Sequence, residues 1–485
     1  MSGLGDAKLT TLLSTFDAPT LRAFRQWLRS PWCNSNKNLL PLIEALERYH
    51  PGFDQMRLTR EHLFKKVLPK GKYSDRRMNN LMSEGFKAAE RFLVFHQFAA
   101  NTTQQQQMLL GILRGRHLDQ WFFKSVEQEM EALQQQSVMS WEDRLMLFQL
   151  QRAVYHHPTR SPRMKAGDQT IVRMSEQLDL VYLLEKAVII EEKRSRALLL
   201  QDENHDLETE TSRWLSASEG VTHPAIGLYR TRFAADQEPD LPMHMEMRAA
   251  FVEQFSRLSG REQKLHLLYL INDAKRLIRH GQLDITALLP LYKIGLETNL
   301  LLHEGQLTRN TYTSIVMASN TKGEFDFSHQ FIASYSRFVD EAIREDCERW
   351  ARAHTTYWSR QLNECLALLV KKEFNTPHFQ LIGRVLRAQA YFDLYLEDHS
   401  YRDYLFSYLD SYERWLYRKK EYSDSFKMAF LNFVQKCRQL LDCYEAPDFE
   451  KAQIEGLLDD TVNIQALNWL RHKQREIGAR RKVIN

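Results

Sequence analysis

The chain has 485 residues, of which 43% are hydrophobic and 26% are charged, a balance that is too apolar for a disordered protein. Its length exceeds the size at which one hydrophobic core keeps growing, so we expect several cores or one stacked array. Only 18 glycines and 13 prolines occur, and a β-rich protein of this size needs more turn-forming residues. The composition therefore predicts an all-α fold.

The formal net charge of +4 is unevenly distributed. Residues 1–100 carry a net charge of +7, residues 101–470 carry −8, and residues 471–485 carry +5. The two ends are therefore basic and the body is acidic.

Cysteine usage and hydropathy predict a cytoplasmic protein. Five widely separated cysteines without a CxxC pair argue against a disulfide framework and a zinc site. The first residues lack the apolar core of a signal peptide. The most hydrophobic stretch, 178–190, is interrupted by Glu185 and Lys186, so we expect no membrane span.

The first hundred residues contain closely spaced signals for helix starts and ends. Asp17 and Thr59 are placed to cap helices, while Pro31 and Pro51 are placed to end them. A long amphipathic helix is predicted from about residue 74 to about residue 98. We predict a basic N-terminal helical domain over 1–100.

The middle of the chain predicts further helices and a joint. Amphipathic segments lie near 108–137, 140–156 and 169–201, in a helical part that we assign to 101–235. Acidic residues and prolines at 201–211 and 235–244 indicate a hinge.

Residues 245–442 predict antiparallel helix pairs spaced about 35 to 45 residues apart, the spacing of helical-repeat arrays. The two clearest units combine small residues, which let helices approach, with large residues, which fill the space between repeats. One unit contains Trp350, Ala351, Ala353, Tyr357, Leu362, Cys365 and Leu369, and the next contains Pro377, His378, Leu386, Ala388, Ala390, Tyr391, Tyr395, Tyr404, Tyr408 and Leu409. A C-terminal helix and basic tail are assigned to 443–485.

At these two units the chain resembles the tetratricopeptide superfamily, although the usual glycine and closing proline of that motif are absent or displaced. The segments FRQWLRSPWCNSN at 24–36 and GRVLRAQAYFDLY at 383–395 look like a group of bacterial helical-repeat proteins without assigned function. The resemblance implies a stacked α-solenoid and carries over no catalytic residue.

Common catalytic and cofactor motifs are missing from the sequence. No GxxxxGK[ST] loop, GxGxxG turn, HExxH helix, GxSxG elbow or EF-hand loop is present. We therefore expect no enzymatic activity, no cofactor, no metal site and no small-molecule substrate.

The segment 57–77 holds eight basic and two acidic residues, a net charge of +6. This charge on two helices joined by a short turn suits phosphate binding. The alternative is a basic face that contacts only solvent. The candidate anion or nucleic-acid contacts here are Lys65, Lys66, Lys70, Lys72, Arg76 and Arg77.

An aromatic stripe is predicted on one side of a single helix, because its members are spaced by three and four residues. It consists of Tyr401, Tyr404, Tyr408, Tyr412 and Trp415. Such a stripe packs between neighbouring helices or forms a recognition groove, and these five are the candidate partner-binding residues.

Residues 471–482 carry +5, with only Ile477 and Ala479 as apolar residues, which predicts a solvated tail. Electrostatic attachment to nucleic acid is the alternative, with Arg480, Arg481 and Lys482 as further candidate contacts.

Taken together, these patterns predict a non-enzymatic scaffold that binds a protein or peptide through a helical-repeat surface. The alternative is a nucleic-acid-associated helical protein that uses the basic segment and the C-terminal tail.

Overall fold

The structure is a computed structural model that describes residues 7–53, 59–159, 169–200, 206–234, 240–420, 422–445, 456–458 and 463–480. Within these ranges it contains 22 α-helices and no strand, which confirms the predicted all-α class. None of the described helices is long and apolar enough to cross a membrane.

The chain forms two compact units. Unit 1 comprises Met1–Gln135 with Met146–Met174, and unit 2 comprises Gln136–Leu145 with Ser175–Asn485. The domain boundary predicted at 235–245 lies within the range of unit 2. The hinge predicted there falls partly on 201–205 and 235–239, which lie outside the described residues.

Seven helices lie wholly in unit 1. They are α1 (Lys8–Ser14), α2 (Ala18–Arg29), α3 (Leu39–Glu47), α4 (Arg60–Val67), α5 (Asp75–Ala100), α6 (Thr102–Gly115) and α7 (Asp119–Gln134). The unit boundary crosses the next two helices, α8 (Trp141–Tyr155) and α9 (Thr170–Leu200).

The core of the first part of unit 1 is built on α5, which contacts α1, α2, α3 and α4. Phe24, Phe64 and Met78 are fully buried in it. Gly85 permits the approach of α1, since a Cβ at this position would lie 2.9 Å from a methyl carbon of Leu9.

Predicted helix ends in unit 1 are partly confirmed. The carboxylate of Asp17 accepts a hydrogen bond from the Thr20 amide, and the hydroxyl of Thr59 accepts one from the His62 amide.

The prediction of a single helical segment near 108–137 is wrong, because α6 ends and α7 begins within it. His117 separates them, with a left-handed φ of 58°.

The remaining helices belong to unit 2. They are α10 (Leu207–Ser218), α11 (Pro224–Phe233), α12 (Leu241–Gln254), α13 (Gly260–Arg279), α14 (Leu289–Glu297), α15 (Arg309–Thr321), α16 (Phe325–Tyr335), α17 (Glu341–Trp358), α18 (Leu362–Val370), α19 (Pro377–Glu397), α20 (Arg402–Arg418), α21 (Asp424–Glu445) and α22 (Leu467–Arg480).

From α10 to α22, each α-helix packs against the next described α-helix along the chain. In addition, α15 contacts α17, and α17 contacts α19. These three helices begin at residues 309, 341 and 377, so their starts are 32 and 36 residues apart.

The C-terminal helix corrects the predicted solvated tail. Leu470 and Ile477 are fully buried, and Lys473 between them is 4% exposed. Residues 470, 473 and 477 share one side of α22, so one face of this basic helix is buried. The prediction was wrong for 471–480 because the anchoring residues Trp469 and Leu470 precede the segment whose composition suggested solvation.

Candidate functional site

The predicted aromatic stripe lies along α20, and its middle is buried in unit 2. Tyr408 and Tyr412 are 7% and 0% exposed. Their hydroxyls donate to backbone carbonyls of α19, Tyr408 to Arg384 at 3.1 Å and Tyr412 to Leu381 at 3.5 Å. These two tyrosines join α20 to α19 and leave almost no ring surface for a partner.

The other three members of the stripe keep accessible ring surface. Tyr404 is 65% exposed, whereas Tyr401 and Trp415 are half-buried. Tyr401 belongs to the short turn before α20, and its ring centroid lies 6.1 Å from that of Tyr404. Direct contact with a partner is therefore open to Tyr401, Tyr404 and Trp415.

Two arginines of α19 cover the aromatic rings of α20. The guanidinium of Arg384 lies 4.4 Å from the Trp415 ring centroid, and that of Arg387 lies 4.6 Å from the Tyr408 centroid. Arg387 is also 5.5 Å from the Tyr391 centroid. Aromatic faces carry partial negative charge, so each ring attracts the cation above it. These five residues are called the arginine-aromatic cluster below.

The two arginines differ in their ionic partners. Arg384 forms a salt bridge of 2.8 Å with Glu373, whose side chain is 61% exposed. Arg387 donates a 3.3 Å hydrogen bond to the Tyr391 hydroxyl and has no salt bridge with any described residue. The Nε atoms of both arginines are buried, and neither has a hydrogen-bond partner in the described part of the chain.

The start of α19 is held by contacts with α17 and with the segment that precedes it. Asp346 of α17 accepts hydrogen bonds from the backbone amides of Asn375 at 3.2 Å and Thr376 at 2.8 Å. Gly383 lets Phe374 pack directly on α19, since a Cβ at 383 would lie 2.5 Å from that ring. The segment before α19 is thus held against α17 and α19 by defined contacts.

The cluster suits binding rather than bond making. Burial raises the pKa of Tyr408, although Arg384 and Arg387 oppose that shift, so the phenol stays protonated at neutral pH. Guanidinium groups donate hydrogen bonds and cannot act as bases, and carboxylates match their planar geometry. The arrangement can therefore accept a carboxylate or another planar anion.

The six basic residues predicted as phosphate contacts are all exposed in unit 1. Lys65 and Lys66 lie in the last turn of α4, Lys70 and Lys72 in the connecting turn, and Arg76 and Arg77 at the start of α5. None of the six forms a salt bridge with a described residue. We call these six residues the α4-α5 basic surface.

Aromatic residues lie beneath this basic surface. The ring centroids of Phe64 and Tyr73 are 5.4 Å apart, and Arg77 lies 5.9 Å from the Phe64 centroid. Lys66 lies 5.9 Å from the Tyr49 centroid. The backbone that carries the cations is thus anchored to buried or half-buried rings.

The C-terminal candidates are only partly described. Residue 480 is the last residue of α22, while Arg481 and Lys482 lie outside the described residues, as does the side chain of Arg480. These three contacts stay predictions.

Sequence reasoning missed a fully exposed tryptophan in unit 1. Trp32 is 98% exposed in the loop between α2 and α3. The available signal was the segment PWCNSN, which places an indole beside a proline and several asparagines with turn-forming side chains.

Sequence reasoning also missed a buried ionic cluster in unit 2. Arg232 of α11 contacts Glu191 of α9 at 2.7 Å and Asp273 of α13 at 2.5 Å. A small cavity beside it is lined by His266 and Tyr269 and has room for about one water molecule. A cavity of this size favours a structural role for the cluster in tying three helices together.

Neither metal ligation among the described residues nor comparison with known proteins identifies a further site. No group of three or more His, Cys, Asp or Glu side chains among the described residues could hold a metal ion. Comparisons with protein-family models, curated proteins and solved structures gave no match for this chain.

Proposed function

We propose that this protein is a non-enzymatic interaction scaffold, and that the arginine-aromatic cluster of unit 2 binds an acidic peptide segment of a partner protein. The observation that carries the proposal is Arg387, a half-buried guanidinium over two aromatic rings without a carboxylate partner among the described residues. A bound carboxylate supplies an anionic acceptor in addition to the neutral Tyr391 hydroxyl that Arg387 already contacts.

The surroundings of the cluster favour an anionic partner. Four further basic residues follow at the C-terminal end of α20, namely Arg414, Arg418, Lys419 and Lys420. They stand in a region, 101–470, whose net charge is −8. Charge complementarity of this kind selects partners and speeds their association.

The helix packing supports a scaffold with tetratricopeptide-like stacking. The starts of α15, α17 and α19 recur at nearly constant spacing, and each of these helices packs on the next of the three. In such stacks each pair contacts mainly its neighbours, so extended outer faces are left for docking. Arg387, which has no salt bridge to a described residue, is the proposed anchor because arginine is enriched at binding hot spots.

Selection from a random peptide library displayed on phage tests the proposal. We expect peptides enriched on the full-length wild-type chain to be rich in Asp and Glu. Parallel selection on the R384Q/R387Q variant should lose this enrichment, whereas selection on R279Q, which removes an exposed cation of α13, should retain it.

Two results contradict the proposal. One is enrichment of acidic peptides that is equal on wild type and R384Q/R387Q. The other is the absence of any acidic consensus on a wild-type chain whose circular dichroism confirms that it is folded.

A second candidate function, association with nucleic acid, is favoured by the α4-α5 basic surface. Six exposed cations without salt bridges to described residues are free to neutralise phosphates. Binding of this kind weakens steeply with salt, because each neutralised phosphate releases condensed counterions. Affinity for nucleic acid that is indifferent to salt would exclude this second function.

A further inference from the structure

We infer that unit 1 binds single-stranded nucleic acid, with a base stacked on Trp32 and phosphates held by the α4-α5 basic surface. This inference rests on the second candidate function. It adds that the nucleic acid is single-stranded and that Trp32 stacks on one of its bases.

The loop that carries Trp32 is fixed by hydrogen bonds rather than by burial. The side chain of Asn34 donates to the Leu28 carbonyl at 3.0 Å and accepts from the Asn36 amide at 2.9 Å. The Cys33 amide donates to the Ser30 carbonyl at 3.0 Å. The indole is therefore held outside the core on an ordered support, which lowers the entropy lost on binding.

This loop and the basic surface meet on α5. The side-chain amide of Asn36 donates to Glu84 of α5 at 2.5 Å. Glu84 is seven residues after Arg77, two helical turns and about 10 Å along the same side of the helix. The loop with Trp32 is thus attached to the same side of α5 as Arg77, which belongs to the α4-α5 basic surface.

The basic side of α5 continues beyond this attachment. Arg91 is a further seven residues along the same side, and Lys87 lies close to it. Both are exposed, and neither forms a salt bridge with a described residue. Phosphates can therefore be met on both sides of the loop that presents Trp32.

A single strand fits this combination better than a duplex does. An exposed ring stacks on a base only when the base face is accessible, which pairing and stacking prevent inside a duplex. A single strand offers phosphates and planar rings along one chain, and the surface offers cations and one indole along one helix. Stacking on an aromatic side chain contributes about 1 to 3 kcal/mol for each base.

The test measures binding of the full-length chain to a fluorescein-labelled 20-nucleotide mixed-sequence DNA strand, and to its duplex, across a salt series. Wild type should bind the single strand more tightly than the duplex. W32A should weaken single-strand binding about 5- to 100-fold with an unchanged salt slope, because tryptophan carries no charge. W121A removes another exposed tryptophan of unit 1, 63% accessible, and should have no effect.

Neutralising charges tests the other half of the inference. K65Q/K66Q/R76Q/R77Q should reduce the magnitude of the salt slope by about 2 to 3 for the single strand. R116Q/K124Q removes two exposed cations elsewhere in unit 1 and should leave the slope unchanged.

The outcomes separate the two levels of the proposal. Equal binding of single strand and duplex, or no effect of W32A, overturns the inference while the second candidate function survives. Weak binding of both forms at low salt overturns both. Displacement of the DNA by polyglutamate at equal charge concentration would assign the surface to acidic protein instead, and would also overturn the inference.

Discussion

Lys473 Nζ lies 2.5 Å from Asp393 Oδ1 inside unit 2, and the two side chains are 5% and 1% exposed. This pair joins α22 to α19. Asp393 also accepts a hydrogen bond from the Tyr357 hydroxyl at 2.7 Å. The Tyr357 oxygen in turn accepts a hydrogen bond from the Trp469 indole N–H at 2.6 Å. A buried charge network therefore positions the C-terminal helix of the described chain.

Replacing Lys473 with methionine should destabilise unit 2 by about 3 kcal/mol, because a buried carboxylate then loses a cation. The loss should be at the lower end of the usual range, since Arg360 remains 3.0 Å from Asp393. The unfolding midpoint measured by circular dichroism should fall by several degrees. K372M, which breaks an exposed pair with Glu345, is the control and should shift the midpoint very little. Equal shifts would refute a special role for the buried pair.

The buried and exposed tyrosines of α20 should respond differently to truncation. Tyr412→Ala removes a fully buried ring and should cost about 3 to 5 kcal/mol of unfolding free energy. Tyr404→Ala alters a ring that is 65% exposed and should cost under about 0.5 kcal/mol. Urea unfolding followed by tryptophan fluorescence measures both, and a similar loss in the two variants would contradict the assigned packing.

The free energy of unfolding should fall as the pH decreases below the pKa of an ordinary histidine. Burial, with a smaller contribution from Arg232, lowers the pKa of His266 to about 3. The unfolded chain therefore binds this proton near pH 6.5 and the folded chain does not, so stabilisation is lost between about pH 6.5 and pH 3. At pH 5 the loss due to His266 is about 2 kcal/mol.

His266→Phe removes this titration while keeping an aromatic ring beside Tyr229, whose centroid is 4.5 Å from that of His266. The difference in stability between pH 7 and pH 5 should be smaller in H266F than in wild type. H329F serves as a control at a different helix, α16. A pH dependence that is identical in H266F and wild type would show that His266 is not buried in its neutral form.

Thiol reactivity should distinguish one cysteine from four. Burial raises the pKa of Cys347 and Cys365 to about 12 and raises that of Cys437 further. Cys443 is also buried, whereas Cys33 is partly exposed. A thiol-reactive chromogenic disulfide should modify one thiol rapidly in the native protein and all five after unfolding. C33S should abolish the rapid phase, and a rapid phase that persists in C33S would contradict the core described for unit 2.

The helical class could be predicted from the sequence because low glycine and proline usage and amphipathic periodicity are local properties. Asp17 and Thr59 were identified as caps for the same reason, since a cap depends on residues three positions away. The burial of α22 could not be predicted in this way. Lys473 is charged, and its burial is favourable because it pairs with Asp393, 80 residues earlier in the chain, as well as with Glu476 in the same helix.

The candidate site could likewise be predicted only in part from the sequence. The spacing of Tyr404, Tyr408 and Tyr412 placed them on one helix side, yet which of them faces the core depends on where α19 packs. Arg384 and Arg387 are ordinary surface arginines by sequence. Their significance arises only when the rings of α20 lie beneath them, a contact between helices that no local pattern encodes.

Arg387 is the proposed anchor for an acidic peptide, and the affinity of an acidic peptide selected on wild type tests this role most directly. Isothermal titration calorimetry should show about 10- to 100-fold weaker binding to R387Q, as expected for loss of a hydrogen bond to a charged group. R279Q should bind like wild type. Equal affinity of wild type and R387Q for that peptide would contradict the proposed binding site.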